Sequence, residues 1–227
     1  MKPGKAILIV GSPRGDKSAS RALGRRLLDG LAARGVPGEI FTVQGAWASE
    51  VKMKALLAGL DSAGLIVFAF PLYVDHLPAP LIRLLELIAT RKRLAGPADA
   101  DRPLVAAIVQ CGFPETRQNL PAVAIMRRFA DLAGYTWAGG LAMGMGGAAG
   151  SRMPDKPKGM LRNVLRALDQ AAAALAEGKP IPEETVEAFG RRLMPPWMYF
   201  TVANFNWKRE ARKLGRGRDL YARPYAE

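Results

Sequence analysis

Hydroxyl and cationic side chains are concentrated in one loop near the start of the chain, GSPRGDKSAS at residues 11–20. The apolar run Ala6–Val10 precedes this loop, and Leu23, Leu27 and Leu31 recur every four residues after it. The apolar run predicts a strand buried on both faces, and the leucine spacing predicts an amphipathic helix. A helix begins with unpaired backbone N–H groups and the positive end of its dipole. This strand–loop–helix unit therefore predicts an anion site, with phosphate as the expected anion.

The side chains that could contact a phosphate are hydroxyls and cations: Ser12, Arg14, Lys17, Ser18 and Ser20. The dinucleotide fingerprint G-x-G-x-x-G does not fit, because Gly11 and Gly15 are four residues apart. The triphosphate loop G-x-x-x-x-G-K-[ST] does not fit either, since its first spacing is one residue short and Asp16 interrupts it. A hydroxyl-rich loop for a single phosphate monoester remains. The alternative is an ordinary strand–helix turn with a serine cap.

The elements that must position this loop alternate between strands and helices. The predicted strands are Ala6–Val10, Gly38–Val43, Gly64–Phe70, Arg102–Gln110 and Tyr135–Ala142. Apolar periodicity predicts five helices: one that starts at Ala19, one over Glu50–Leu60, one that starts after Pro80, one that ends at about Ala133 and one over Leu161–Ala176. A loop is predicted at Gln44–Ser49. This alternation predicts an α/β fold, a doubly wound five-stranded parallel sheet with helices on both faces. The common strand order for such a unit is 2-1-3-4-5.

Ligands of such sheets bind beyond the carboxyl ends of the strands, where the strand order reverses. Three predicted loops meet at that edge, at residues 11–18, 71–77 and 111–117. The first loop offers phosphate donors, whereas the other two offer flat apolar and backbone surface. Together they predict a phosphorylated, planar ligand.

The composition excludes several classes of protein. The chain has 227 residues, a net charge of +13, one Cys and one His. A single Cys rules out an intramolecular disulfide and an iron–sulfur cluster bound by this chain alone, and with one His it argues against a structural zinc site. We expect no bound metal. No segment has the roughly 20 apolar residues of a membrane span, and no signal peptide precedes the first strand, which predicts a cytoplasmic protein.

The sequence suggests a domain over residues 1–178 and a basic, aromatic C-terminal extension over residues 179–227. Residues 189–227 contain nine Lys or Arg against three Asp or Glu. After a Pro-Pro pair, the segment at residues 197–207 is too apolar to be left in water. It could pack on its own domain, on a second subunit or at a membrane interface, and packing is the favoured reading. Nucleic acid is not expected as a partner, because the main body lacks interleaved basic and aromatic residues.

These motifs resemble those of the flavodoxin-like NAD(P)H-dependent oxidoreductases, in particular the NADPH-dependent FMN reductase and multimeric flavodoxin branch. The resemblance rests on GSPRGDKSAS at 11–20, PLYVDHLPAPLIRLLE at 71–86 and QCGFPE at 110–115, and covers about residues 5–177. It implies a flavodoxin-like fold, FMN as the bound cofactor and NAD(P)H as hydride donor. The first loop departs from the commoner G-N-T ending. Relatives with an iron–sulfur cluster carry cysteines that this chain lacks, so that chemistry is not implied.

The resemblance assigns the FMN phosphate to the first loop and the isoalloxazine ring to the next two. The cofactor-binding positions that it implies are Ser12, Arg14, Ser18, Ala19, Ser20, Pro71, Leu72, Tyr73, Val74, Cys111, Gly112 and Glu115. It implies no catalytic side chain, because the flavin carries the hydride chemistry. His76 is either a proton donor to a reduced quinone or an exposed loop histidine. Gly144, Gly146 and Gly147 either admit a ligand or permit a turn, and the turn is favoured.

The implied function is that of an FMN-dependent NAD(P)H oxidoreductase, of the quinone or FMN reductase type. Hydride would pass from the nicotinamide to the flavin and on to a quinone, flavin or similar small-molecule acceptor. A homodimer is expected, because a neighbouring subunit often completes flavin sites of this class. One alternative is a flavodoxin-type electron carrier, against which the basic charge counts, since such carriers usually meet partners through an acidic face. Another is a non-enzymatic flavodoxin-fold binding module associated with a membrane surface.

Overall fold

The computed structural model describes residues 2–95, 102–150, 153–154, 159–217 and 219–222. The chain forms two compact units, Met1–Arg192 and Leu193–Glu227. The first unit contains the sheet and the predicted phosphate loop, so it positions the candidate site.

A five-stranded parallel sheet forms the centre of the first unit. Its strands are β1 (Ala6–Val10), β2 (Gly38–Thr42), β3 (Leu65–Pro71), β4 (Leu104–Gln110) and β5 (Thr136–Met143). They lie in the order β2-β1-β3-β4-β5, as predicted. Leu8 pairs with Ile40 on one side and with Val67 on the other, so β1 lies between β2 and β3. The order reverses there, and the loop after β1 starts at the switch point.

Seven α-helices are described in the first unit and one in the second. They are α1 (Ala19–Ala32), α2 (Val43–Trp47), α3 (Glu50–Ser62), α4 (Ala79–Ala95), α5 (Leu120–Leu132), α6 (Arg162–Ala176), α7 (Glu183–Gly190) and α8 (Pro196–Lys213). The predicted loop at Gln44–Ser49 is wrong, because α2 covers most of it. The Thr42 hydroxyl accepts a hydrogen bond from the backbone N–H of Gly45 at 3.1 Å, and this cap starts the short helix.

The helices cover both faces of the sheet. On one face, α3, α4 and α5 bury their apolar stripes against strand residues that include Ile7, Ile66 and Phe68. On the other face α1 approaches β1 so closely that a Cβ added at Gly24 would lie 2.6 Å from a Leu8 methyl carbon. With both faces covered, a ligand is expected at the carboxyl edge of the sheet.

The first unit continues beyond residue 178 because the next residues pack on β5. The backbone N–H of Ile181 donates to the carbonyl of Ala138 at 2.7 Å. Beside it, Gly139 has a φ of +128°, and an added Cβ would lie 3.1 Å from Ile181 Cβ. The two units therefore meet between Arg192 and Leu193, whereas the sequence suggested a boundary after residue 178. That either segment folds as an independent domain stays a prediction.

Candidate cofactor-binding site

An open cleft of about 200 Å³ lies at the carboxyl edge of the sheet, where the loops after β1, β3, β4 and β5 converge. Its lining residues are Ser12, Arg14, Ser18, Ala19, Pro71, Leu72, Tyr73, Gln110, Cys111, Gly112, Gly146 and Gly147. The fold thus brings together the three loops singled out in the sequence, with a fourth segment that follows β5.

All of the implied cofactor positions line this cleft except Ser20, Val74 and Glu115. Ser20 is buried on the first turn of α1, where its hydroxyl accepts a hydrogen bond from the Gln110 side-chain amide at 3.5 Å. Val74 is 98% exposed at the tip of a turn. The Glu115 carbonyl accepts a hydrogen bond from the backbone N–H of Gln118 at 3.4 Å. Contact with the cofactor stays a prediction for these three residues and for the nine that line the cleft.

Backbone N–H groups at the start of α1 are available as anion donors. Ser18 caps the helix: its hydroxyl oxygen accepts from the Arg21 N–H at 3.1 Å, and its own proton goes to the Gly15 carbonyl at 2.7 Å. Among the residues that the structure describes, the N–H groups of Ala19 and Ser20 have no hydrogen-bond partner. The serine cap and the anion site therefore coexist, because the cap shapes the loop and leaves these two amides free.

Side chains around these amides add further donors and positive charge. Ser12 is 3% exposed, and its oxygen accepts from the Arg14 N–H at 3.4 Å, which leaves its own proton for a ligand. Arg14 is exposed at the rim of the cleft. The one carboxylate of the loop, on Asp16, pairs with Arg21 at 3.3 Å. Lys17 is exposed and outside the lining. Arg14 is the one charged residue among those that line the cleft, so the local field there is positive.

A tight turn after β3 forms another wall of the cleft. Tyr73 and His76 exchange two backbone hydrogen bonds of 2.9 Å, and the two residues between them, Val74 and Asp75, have φ of 47° and 56°. Positive φ at both central positions is the geometry of a type I′ turn. It is rare for a β-branched residue such as valine. The turn holds the Tyr73 ring at the cleft, partly exposed.

His76 lies on this turn, exposed and outside the cleft lining. Its Nδ1 accepts a hydrogen bond from the Leu77 backbone N–H at 2.9 Å. The neutral ring therefore carries its proton on Nε2, which is the atom left to act as a donor.

The loop after β4 is fixed by a buried amide. Asn119 Nδ2 donates to the carbonyls of Met143 at 3.0 Å and Thr116 at 3.2 Å and to the Cys111 sulfur at 3.3 Å. Burial raises the pKa of the Cys111 thiol, so this free cysteine stays protonated at neutral pH. Asn119 thus holds the loop against the end of β5, and Cys111 contributes an inert wall.

Gln110 belongs to the motif at residues 110–115, but no contact with the cleft was predicted for it. For the glycines after β5, a turn was the favoured prediction. A Cβ added at Gly146 would collide with the Gln110 side-chain amide, and one at Gly144 would lie 2.6 Å from the Pro114 carbonyl oxygen. Neither Gly144, Gly146 nor Gly147 has a positive φ, although Met145 has one of 55°. Glycine at 144 and 146 therefore permits close packing of two loops, and Gly147 opens onto the cleft.

The chain matches a family model described as NADPH-dependent FMN reductase over residues 5–176. The chain belongs to this family. It is therefore a flavin-dependent oxidoreductase with FMN and NAD(P)H as cofactors, and the resemblance seen in the sequence is confirmed. A search of curated proteins gives no significant match.

Solved structures with the same fold include several flavoproteins. An FMN-dependent NADH-azoreductase from Bacillus anthracis is 16% identical with a TM-score of 0.51, over 76% of this chain and 99% of that one. A flavodoxin from Streptococcus pneumonia is 14% identical with a TM-score of 0.51, over 77% and 99%. The rubredoxin oxygen:oxidoreductase from Desulfovibrio gigas is 11% identical with a TM-score of 0.52, over 77% of this chain and only 36% of that one. These likenesses confirm the flavodoxin-like fold.

The donor set of the cleft fits FMN. Free amides, a buried hydroxyl and a guanidinium lie at the phosphate end, and apolar and backbone groups lie along the other loops. Side chains at Gly112 and Gly147 would meet nothing within 4 Å, so open space for a flat ring adjoins the glycines. Over the described ranges, no cluster of three or more His, Cys, Asp or Glu side chains is placed to hold a metal ion. Likewise, no described helix is long and apolar enough to cross a membrane.

Proposed function

We propose that this FMN reductase binds FMN in the cleft, receives hydride from NAD(P)H and reduces a quinone, a free flavin or a similar small-molecule acceptor. The observation that supports this function most strongly is the free amide of Ala19 in the lining of the cleft, which also includes Gly112 and Gly147; the free amide of Ser20 follows it on the same helix turn. One end of the cleft suits a phosphate monoester and the other suits a flat ring, and FMN has both.

The residues of the first loop hold the phosphate in this proposal. The N–H groups of Ala19 and Ser20 and the Ser12 hydroxyl donate hydrogen bonds, and Arg14 adds charge from the rim. Pro71, Leu72 and Tyr73 hold one part of the ring by backbone and apolar contacts, and Cys111 and Gly112 border the rest. When bound, the flavin supplies hydride acceptance and electron transfer. The protein orients the ring and leaves one face open to nicotinamide and acceptor in turn.

The experiment is an anaerobic half-reaction titration of the purified protein loaded with FMN. NADPH or NADH should bleach the flavin absorbance near 450 nm, and a short-chain quinone should restore it over many cycles. A yellow, FMN-loaded protein that neither NADPH nor NADH bleaches would instead indicate an electron carrier. A protein that takes up no FMN at micromolar concentrations would contradict the proposal.

A cytoplasmic homodimer is also part of the proposal. Light scattering coupled to size exclusion, with and without FMN, measures the mass of the particle in solution. A mass of one chain under both conditions would remove the dimer from the proposal while leaving the oxidoreductase function intact.

A further inference from the structure

Helix α8 carries large apolar side chains that its own unit leaves exposed. The helix has 18 residues, and at 1.5 Å per residue it is about 27 Å long. None of these residues, all of which the structure describes, is buried. Trp197 is 70% exposed, Phe205 65% and Trp207 74%. Several such rings on one helix form an apolar surface that requires a partner.

Charge divides α8 into two parts. Residues 196–207 contain no charged side chain, whereas Lys208, Arg209, Arg212 and Lys213 follow directly. The helical spacing also places an apolar stripe from Phe200 through Ala203, Trp207 and Ala211 to Leu214, which caps the helix. At 100° per residue, Arg209 and Arg212 lie on the side opposite this stripe, and Lys208 lies on its flank. The first part is apolar all round except for its Thr and Asn residues, and the second part is amphipathic.

Most of these cations lack an ion-pair partner among the residues that the structure describes. Glu210 bonds to Lys213 at 2.7 Å, and Asp219 bonds to Arg216 at 3.0 Å. Within the described part of the chain, Lys208, Arg209 and Arg212 have no ion-pair partner. These three side chains and Phe205 also line a concave surface of about 450 Å³ with Lys213. Unpaired cations around an aromatic ring suit a partner that is both anionic and apolar.

We propose that α8 is an interfacial helix that binds the surface of an anionic lipid bilayer. Its aromatic rings would enter the boundary between headgroups and acyl chains, where Trp and Tyr are favoured, and its cations would contact lipid phosphates and carboxylates. An uncharged stretch of 12 residues is too short to span a bilayer, but it has the length of an interfacial segment. A second copy of α8 packed in parallel fits less well, because it would bring the same unpaired cations close together, and any self-association is detected in the test below.

The test is flotation of the full-length, FMN-loaded protein with vesicles of 70% phosphatidylcholine and 30% phosphatidylserine. The protein should float with these vesicles and not with pure phosphatidylcholine, and raising the salt should release it. Each basic residue near an anionic surface contributes roughly fivefold to partitioning. The triple variant K208A/R209A/R212A should therefore bind roughly 100-fold more weakly. The matched control R127A/R128A/R166A removes three exposed cations from α5 and α6 and should bind like the parent protein.

Fluorescence tests whether the rings enter the lipid. Binding should shift the tryptophan emission to the blue, and Trp197→Phe with Trp207→Phe should abolish that shift while flotation persists. These side chains are exposed, so circular dichroism and the flavin content of each variant should be unchanged.

Equal flotation with neutral and anionic vesicles would overturn the proposal, and so would equal loss of binding in the matched control. A lipid-independent dimer that K208A/R209A/R212A or Trp207→Ser dissociates would overturn it as well. Binding of single-stranded nucleic acid without binding of anionic vesicles would also overturn it. Flavin loading is measured on the same samples, so a failure of lipid binding is separable from a failure of the oxidoreductase function.

Discussion

The phosphate end of the cleft allows a sharp comparison between a buried hydroxyl and an exposed charge. Ser12→Ala removes an O–H from a side chain that is 3% exposed, while changing little of the packing around it. A hydrogen bond to a charged group contributes about 1.5–3 kcal/mol when the site is shielded from water. We therefore expect Ser12→Ala to raise the Kd for FMN by roughly 10- to 150-fold.

Arg14 carries a full charge, yet its exposure at the rim reduces its contribution. Exposed ion pairs contribute about 0–1 kcal/mol, so Arg14→Gln should raise the Kd for FMN by no more than about fivefold. Its effect should shrink as salt is added, whereas the effect of Ser12→Ala should not. Lys17→Gln removes an exposed cation of the same loop that does not line the cleft, and it serves as the matched control.

Quenching of flavin fluorescence on titration with the apoprotein measures the Kd for FMN and the Kd for riboflavin. Riboflavin lacks the phosphate, so its Kd should be the same for the parent protein and for all three variants. If Ser12→Ala weakens the binding of riboflavin as much as the binding of FMN, the hydroxyl supports the loop and does not contact the phosphate. If Arg14→Gln raises the Kd for FMN more than Ser12→Ala does at physiological salt, burial does not decide which group contributes more to phosphate binding.

Three further predictions concern stability. Gly144→Ala should lower the free energy of unfolding by about 1–3 kcal/mol, because the added Cβ would lie 2.6 Å from the Pro114 carbonyl oxygen. Gly147→Ala is the control: its Cβ would have no atom within 4 Å, so the melting temperature should be unchanged. Asp61 makes two bonds of 2.7 and 2.6 Å to Arg91, and that side chain holds the pKa of the Asp61 carboxyl below 3.8. Both partners are partly exposed, so Asp61→Asn should lower the free energy of unfolding, measured in urea at neutral pH, by at most about 1 kcal/mol. The difference from the parent protein should vanish as the pH falls through the folded-state pKa of Asp61. A difference that persists in acid would refute the ion pair as its cause. Burial raises the pKa of Tyr135 to about 12, and its phenol oxygen has no partner among the described residues. Tyr135→Phe should therefore raise the free energy of unfolding by about 1 kcal/mol, and a loss of stability would reveal a hidden hydrogen bond.

The strand–loop–helix unit and the strand order could be predicted because both depend on local patterns. Five apolar residues at Ala6–Val10 are long enough for a buried strand, and the leucines after Ala19 define one helix face. Alternation of strands and helices then leaves few topologies, because parallel strands require right-handed crossovers. The loops after β1, β3 and β4 must meet once that order is set.

The rest of the cleft depends on contacts between distant residues that no local pattern encodes. Gln110 reaches Gly146 because β4 and β5 are neighbours, and the contact becomes evident only after both strands are paired. The short helix α2 depends on one hydroxyl cap at Thr42. No helix was predicted for residues 196–213; α8 starts directly at the Pro-Pro pair, with Pro196 as its first residue, where proline is well tolerated.

The covering of β5 limits how two copies of this enzyme can associate. An edge strand with free N–H and C=O groups is a template onto which another chain can add a strand. Here the Ala138 carbonyl is already used by Ile181, and α7 packs beside it, so β5 is partly covered against the addition of a strand from a second subunit. For the proposed homodimer we therefore expect an interface other than a continuous sheet through β5.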